Sequence, residues 1–350
     1  MSDRTPTAID AVADDYVDTL ATLSPTFATG AGVPGDERAL DDFSPTGHDA
    51  MADAAREVLR RIDEVELVDD VDRVTAAAMR ERLGLEVELH EAGENYADLN
   101  NIASPLQAIR DTFDLMPTDT EEHWETIAAR MGAVPGAVDG YLESLNRGAE
   151  IGVMPALRQV KIGIEQAEEL AGRDSFWSTF AASADVPDSL RADLEAGAEQ
   201  AKGAYRVLAD ALRELAPKAP LADGVGRERY QRFSRRFLGA AVDLDETYEW
   251  GREELARIIA EQEDVANQLY GEGTTPEEAM QRLDDDTTRQ LHGTDALQRW
   301  MQETSDAAVA ELADVHFDIP GPLANAGTDN TSCRSVPTSR VCSCSSVKGG

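Results

Sequence analysis

The chain has 350 residues, 42% of them hydrophobic, enough apolar material for two domains or one large helical one, and too much for a disordered chain. Thirty-two basic residues stand against 68 acidic ones, a net charge of −36, and a field of that sign repels phosphate backbones and anionic bilayers. Nucleic acid and membrane surfaces are therefore excluded as expected partners. No run approaches the roughly 18 apolar residues of a membrane helix, and the first segment, MSDRTPTAIDAVADDY, is acidic where a signal peptide is basic and then greasy. The expectation is a cytoplasmic protein.

Helical periodicity runs through almost the whole chain. Ile9, Val12, Ala13, Tyr16, Val17, Leu20 and Leu23 recur at threes and fours after Thr5-Pro6, the spacing of a single apolar stripe. Ser44-Pro45 opens a second such pattern, from Met51 to Val65, and Ser104-Pro105 a third, through Leu106, Ile109 and Phe113. In each, a hydroxyl can cap free amides and proline occupies the first turn, where its missing N–H costs nothing. Thr118 and Glu121 read as a capping box before Trp124, Ile127 and Met131, with Gly132 as the left-handed stop, which predicts a short helix.

Further helices are predicted from Pro155 to about Ala171, Ser189 to about Leu215, Leu244 to about Tyr270, and Thr294 to about Leu312. Only Leu85-Glu86-Val87-Glu88-Leu89 alternates with period two, and it could equally continue a helix. The fold class expected is all-α, a large multi-helix array with an irregular or disordered C-terminal tail. Segments 24–44 and 217–226, rich in Pro, Gly and Asp, read as loops. The second divides an N-terminal helical region, 1–216, from a second one, 227–320.

Residues 321–350 stand apart. Half of them are Gly, Ser, Thr or Pro, one acid (Asp329) faces three bases, and all three cysteines of the chain (Cys333, Cys342, Cys344) lie there. An odd, bunched set is no disulfide framework, and the single residue between Cys342 and Cys344 misses the loop of a structural zinc site. Two origins fit this composition, a disordered extension and an out-of-frame tail.

Few residues carry chemistry. His90-Glu91 opens the zinc-peptidase pattern H-E-x-x-H, but the second histidine is absent. Glu94 lies one helical turn on, Gly93 loosens that turn, and a third ligand would have to come from elsewhere, so a helix end with its polar face in water is the expectation. Asp243, Asp245, Glu246 and Glu249 crowd around Tyr248 and Trp250. Acids belong in a helix's first turn, and the two aromatics read as core or as a pocket wall. Asp284-Asp285-Asp286 lacks the spacing and the glycine of a calcium loop and reads as a solvated turn. Arg235-Arg236, between Phe233 and Phe237, can hold a substrate carboxylate, although pairing with the chain's surplus acids is the more economical use.

Three stretches carry a family resemblance: Asp98-Leu99-Asn100-Asn101-Ile102-Ala103-Ser104-Pro105-Leu106, Asp245-Glu246-Thr247-Tyr248-Glu249-Trp250-Gly251, and Asp314-Val315-His316-Phe317-Asp318-Ile319-Pro320. On these, the chain resembles the bacterial domain of unknown function 885 family over roughly residues 7–320. The resemblance implies a helical protein similar to zinc metallopeptidases, with a zinc motif H-E-G-x-P-G-H-H downstream of the last stretch. That motif does not occur in this sequence, so no catalytic residue and no metal ligand is assigned and no cofactor is expected in this chain, zinc being implied for a complete member. Arg235, Tyr248 and Trp250 are the candidates for a substrate-channel wall. The expectation is the N-terminal helical portion of a zinc-dependent peptidase, inactive alone, with a peptide as the complete enzyme's substrate; the alternative is a non-enzymatic acidic helical module that binds a basic partner.

Overall fold

A computed structural model describes residues 4–312 and 315. The tail 321–350 and the stretch His316 to Pro320 lie outside the described residues. Among the described ones the fold is all-α, with thirteen helices and no strand. The period-two stretch at Leu85–Leu89 is helical, inside α4 (Asp70–Glu91).

The chain divides into two compact units, Met1–Val242 and Asp243–Gly350. The loop 217–226 lies inside the first unit, and so does the helix that follows it.

In the first unit, α1 (Ala8–Leu23), α3 (Pro45–Glu64) and α4 (Asp70–Glu91) bury Ile9, Val12, Ala55, Val58, Ile62, Ala76 and Leu83 among themselves. Helix α1 starts two residues later than Thr5-Pro6 suggests, because Thr7 and Asp10 form the capping box. Ser44 caps α3 as expected, accepting from the Gly47 N–H at 3.2 Å. The segment 24–44 is not all loop. Ser24 and Pro25 start α2 (Pro25–Ala31), and the Asp41 carboxylate accepts from the Thr26 N–H and from the Ser24 and Thr26 hydroxyls at 2.7–2.9 Å.

The larger core lies along α6 (Glu121–Ile151) and α9 (Asp188–Leu215), with α5 (Pro105–Asp111), α7 (Leu157–Leu170) and α8 (Phe176–Ala182) around them. Helix α6 corrects the short helix predicted here: it is capped by Thr120 rather than Thr118 and runs 31 residues, through Gly132 and Pro135. Gly132 costs about 1 kcal/mol and Pro135 about 3. Past them Val134, Val138, Tyr141 and Leu145 keep the helical period and are buried against the core, at about 1.5–3 kcal/mol each. Four such side chains outweigh two breakers, so the helix continues to Gly152, whose left-handed φ of 78° ends it.

Two glycines let backbones touch. A Cβ on Gly197 of α9 would lie 2.8 Å from the Cβ of Met131, and one on Gly148 of α6 would lie 2.5 Å from the carbonyl oxygen of Tyr96. The first permits the close crossing of α6 and α9. The second seats the 3₁₀ turn Glu94–Ala97 directly on α6.

The first unit closes with α10 (Arg227–Leu238), which buries no residue of its own. The second unit comprises α11 (Leu244–Tyr270), α12 (Pro276–Asp284) and α13 (Thr294–Leu312). Its buried apolar side chains among the described residues are Ala266 and Ala279.

Candidate functional site

A cluster of charged and titratable side chains lies where α4 ends. Gly93, at φ 75°, stops α4 and turns the chain into the 3₁₀ segment, whose position is fixed by contact with Gly148. This turn takes His90 and Glu94 off any common helical face, which corrects the expectation of a polar helix end in water: Glu94 is buried and His90 is half-buried.

Glu94, 3% exposed at its side chain, receives a bidentate grip from Arg229 of α10. The Arg229 Nε–H reaches both carboxylate oxygens at 2.9 and 3.0 Å, and Nη2 donates to Oε2 at 2.7 Å. A buried carboxylate is tolerable only with such a fork of charge-assisted bonds. His90 Nε2 lies 3.1 Å from Asp49 Oδ1, while its Nδ1 is buried without a partner. The His90 and His48 rings each meet the Tyr96 ring edge-on, at 6.4 and 6.0 Å between centroids. Burial, and after it the neighbouring His90, push His48 below the usual imidazole range.

The pairing extends along α4. Arg235, a channel-wall candidate, donates to Glu81 from Nε and Nη2 at 2.6 and 2.7 Å and to Glu88 from Nη1 at 3.1 Å. These bonds hold the Glu81 carboxyl below its ordinary range. Arg232 lies 3.3 Å from Glu88, and Arg236 lies 3.8 Å from Glu86. A polar cleft of about 270 Å³ opens here, lined by Glu88, Glu228, Gln231, Arg232, Arg235 and Ala241. Within it Glu88 is paired with Arg232 and Arg235, which leaves a surface for polar contacts.

The other two channel-wall candidates lie in the second unit. Tyr248 and Trp250, in the early turns of α11, are 67% and 63% exposed, which removes the core half of the expectation, core or pocket wall, and leaves the pocket-wall half as it was. Helix α11 has Ala266 as its one buried side chain. The acids around them cap and decorate the helix start: Asp243 accepts from the Asp245 and Glu246 N–H groups at 2.9 and 3.0 Å, and Glu249 pairs with Arg252 at 3.2 Å. Among the described residues no three His, Cys, Asp or Glu side chains are placed to hold a metal ion, and no helix is long and apolar enough to cross a membrane.

Among the residues that sequence reasoning missed are Arg229, Arg232, Glu81 and Glu88, and with them His48, Asp49 and Tyr96. The signal of the first four was present as arginines at 229, 232 and 235, one per helical turn, and as glutamates seven apart at 81 and 88.

An all-α array of this kind, with an arginine-lined helix laid on a glutamate-lined one, defines the class of fold. The chain belongs to the family described as bacterial proteins of unknown function, DUF885, whose profile matches residues 25–345. The match continues past Pro320, where the likeness was expected to stop, and so includes most of the compositionally distinct tail. Among solved structures the chain is similar to a candidate lipoprotein from Colwellia psychrerythraea, at TM-score 0.71 and 17% identity over 88% of this chain and 59% of that one. It is also similar to a candidate lipoprotein of unknown function from Shewanella oneidensis, at TM-score 0.64 and 14% identity over 92% of this chain and 64% of that one. The chain thus spans about three fifths of the length of these solved relatives, and at such identities the likeness is one of fold. No curated protein matches the chain.

Proposed function

We propose that the chain is the N-terminal helical portion of a zinc-dependent peptidase, that it lacks the catalytic metal motif, and that it is inactive alone. The observation that carries this reading is the second unit. Its buried residues among those described are Ala266, Thr274 and Ala279, while Leu255, Ile259, Leu269, Trp300 and Met301 are 46–59% exposed, a face suited to packing against further protein. In a complete enzyme these helices would support a peptide channel, and zinc would lower the pKa of a bound water to near 7. The described residues do not fit that ion. His90 has Asp49 as its acid neighbour, Glu94 is taken by Arg229, and no step of a zinc mechanism is assigned to this chain.

The purified chain should hold no stoichiometric zinc and cleave none of a set of fluorogenic peptides. Elemental analysis returning about one zinc per chain, together with cleavage, would overturn the reading. The alternative, an acidic helical module that binds a basic partner, draws on the same exposed α11, whose acids Asp245, Glu246 and Glu249 flank Tyr248 and Trp250. The cytoplasmic location read from the first segment stands against the lipoprotein description of both solved relatives, and cell fractionation separates the two.

A further inference from the structure

We infer that α10 is a strap latched to the first unit by charge, one that salt releases while the rest of the unit stays folded. The helix has no fully buried residue, Tyr230, Phe237 and Leu238 are 58–88% exposed, and Phe233 is half-buried, so apolar burial at one side chain is the smaller part of what holds it. What holds it is a row of guanidinia. Arg229, Arg232, Arg235 and Arg236 meet Glu94, Glu88, Glu81 and Glu86, and Arg82 of α4 donates from Nη1 to the Arg236 carbonyl at 2.6 Å, tying the helix's last turn. Glycines with left-handed φ flank the helix on both sides, Gly226 at 83° and Gly239 at 71°, where the backbone can swing without steric cost.

Exposed ion pairs are individually weak and weaken further as the Debye length falls from about 10 Å at 0.1 M salt to about 3 Å at 1 M. The Arg229–Glu94 pair is more buried than the rest and closes the latch. An isolated helix of 12 residues is marginal in water, so a released α10 melts. Release uncovers the carboxylates of Glu81, Glu88 and Glu94. The unit's core has the opposite salt response, because screening relieves the self-repulsion of a chain with net charge −36.

Hydrogen exchange of the full chain, followed by mass spectrometry at about 0.05 M and about 1 M NaCl, reads both parts at once. Amides of 229–238 should exchange about tenfold faster at the higher salt, while those of α6 and α9 hold steady or slow. The double variant Glu81→Gln/Glu88→Gln, which changes only partly exposed side chains, should show the high-salt exchange of 229–238 already at low salt. Amides of 229–238 that are equally or better protected at high salt overturn the strap. So does a helix already unprotected at low salt, or a double variant that exchanges like the wild type there.

Discussion

Replacing Arg130 by methionine tests whether one buried cation fixes α2 and the following loop onto α6. Arg130 is fully buried. Its Nε–H donates to the Ala39 carbonyl at 2.9 Å, Nη1 to the Thr29 hydroxyl at 2.9 Å, and Nη2 to the Asp36 carbonyl at 3.2 Å. Burial lowers the pKa of this guanidinium, and Glu37, Asp36 and Asp41 oppose the shift from a distance. The Arg130→Met variant leaves three acceptors without their donor, at about 1–3 kcal/mol each. It also removes the several kcal/mol that desolvating a cation costs, and methionine fills most of the volume. The balance is a loss of about 2–4 kcal/mol. Urea unfolding followed by the fluorescence of the buried Trp124 and Trp177 measures it, with the m-value checked for constancy. Hydrogen exchange should show residues 25–43 deprotected before α9. A loss under about 1 kcal/mol, with 25–43 still protected, would refute the assignment and mean that the loop is held by its own Asp41 contacts.

Gly148→Ala should destabilise the first unit by about 2–3 kcal/mol in the same urea assay, because the new Cβ lies 2.5 Å from the Tyr96 carbonyl oxygen and 2.6 Å from that of Val153, both backbone atoms; Gly136→Ala, which meets nothing within 4 Å, should be neutral or stabilising. At the other end of the unit, Arg4 and then the Asp72 N–H hold the Asp69 carboxyl at about 2, below its ordinary 3.8. A carboxyl depressed in the fold stabilises above the unfolded value and loses that contribution as pH falls through the folded one. The urea midpoints of wild type and Asp69→Asn should therefore differ by a constant amount above about pH 4 and converge toward about pH 2, and a gap independent of pH would sink that account.

What the sequence by itself determined is local. Helices α3, α11 and α13 begin at the residues their caps and periodicity marked, Pro45, Leu244 and Thr294, because a cap and an i, i+4 stripe are written within one or two turns of chain. The same local signals stopped α6 at Gly132, where tertiary burial of Val134, Val138, Tyr141 and Leu145 carries it on to Ile151. They also left Tyr248 and Trp250 as candidates for core or for a pocket wall, since whether an aromatic stripe is covered depends on what the fold brings to it. For the candidate site, the arginine spacing of α10 was legible and its partners were not: Glu94 and Arg229 are 135 residues apart in sequence, and Glu81 and Arg235 are 154 apart. Only the tertiary structure, through the left-handed Gly93 and the bare backbone of Gly148, turns Glu94 inward to meet that guanidinium, because opposite charges attract without regard to sequence distance and local pattern carries no record of which will be neighbours.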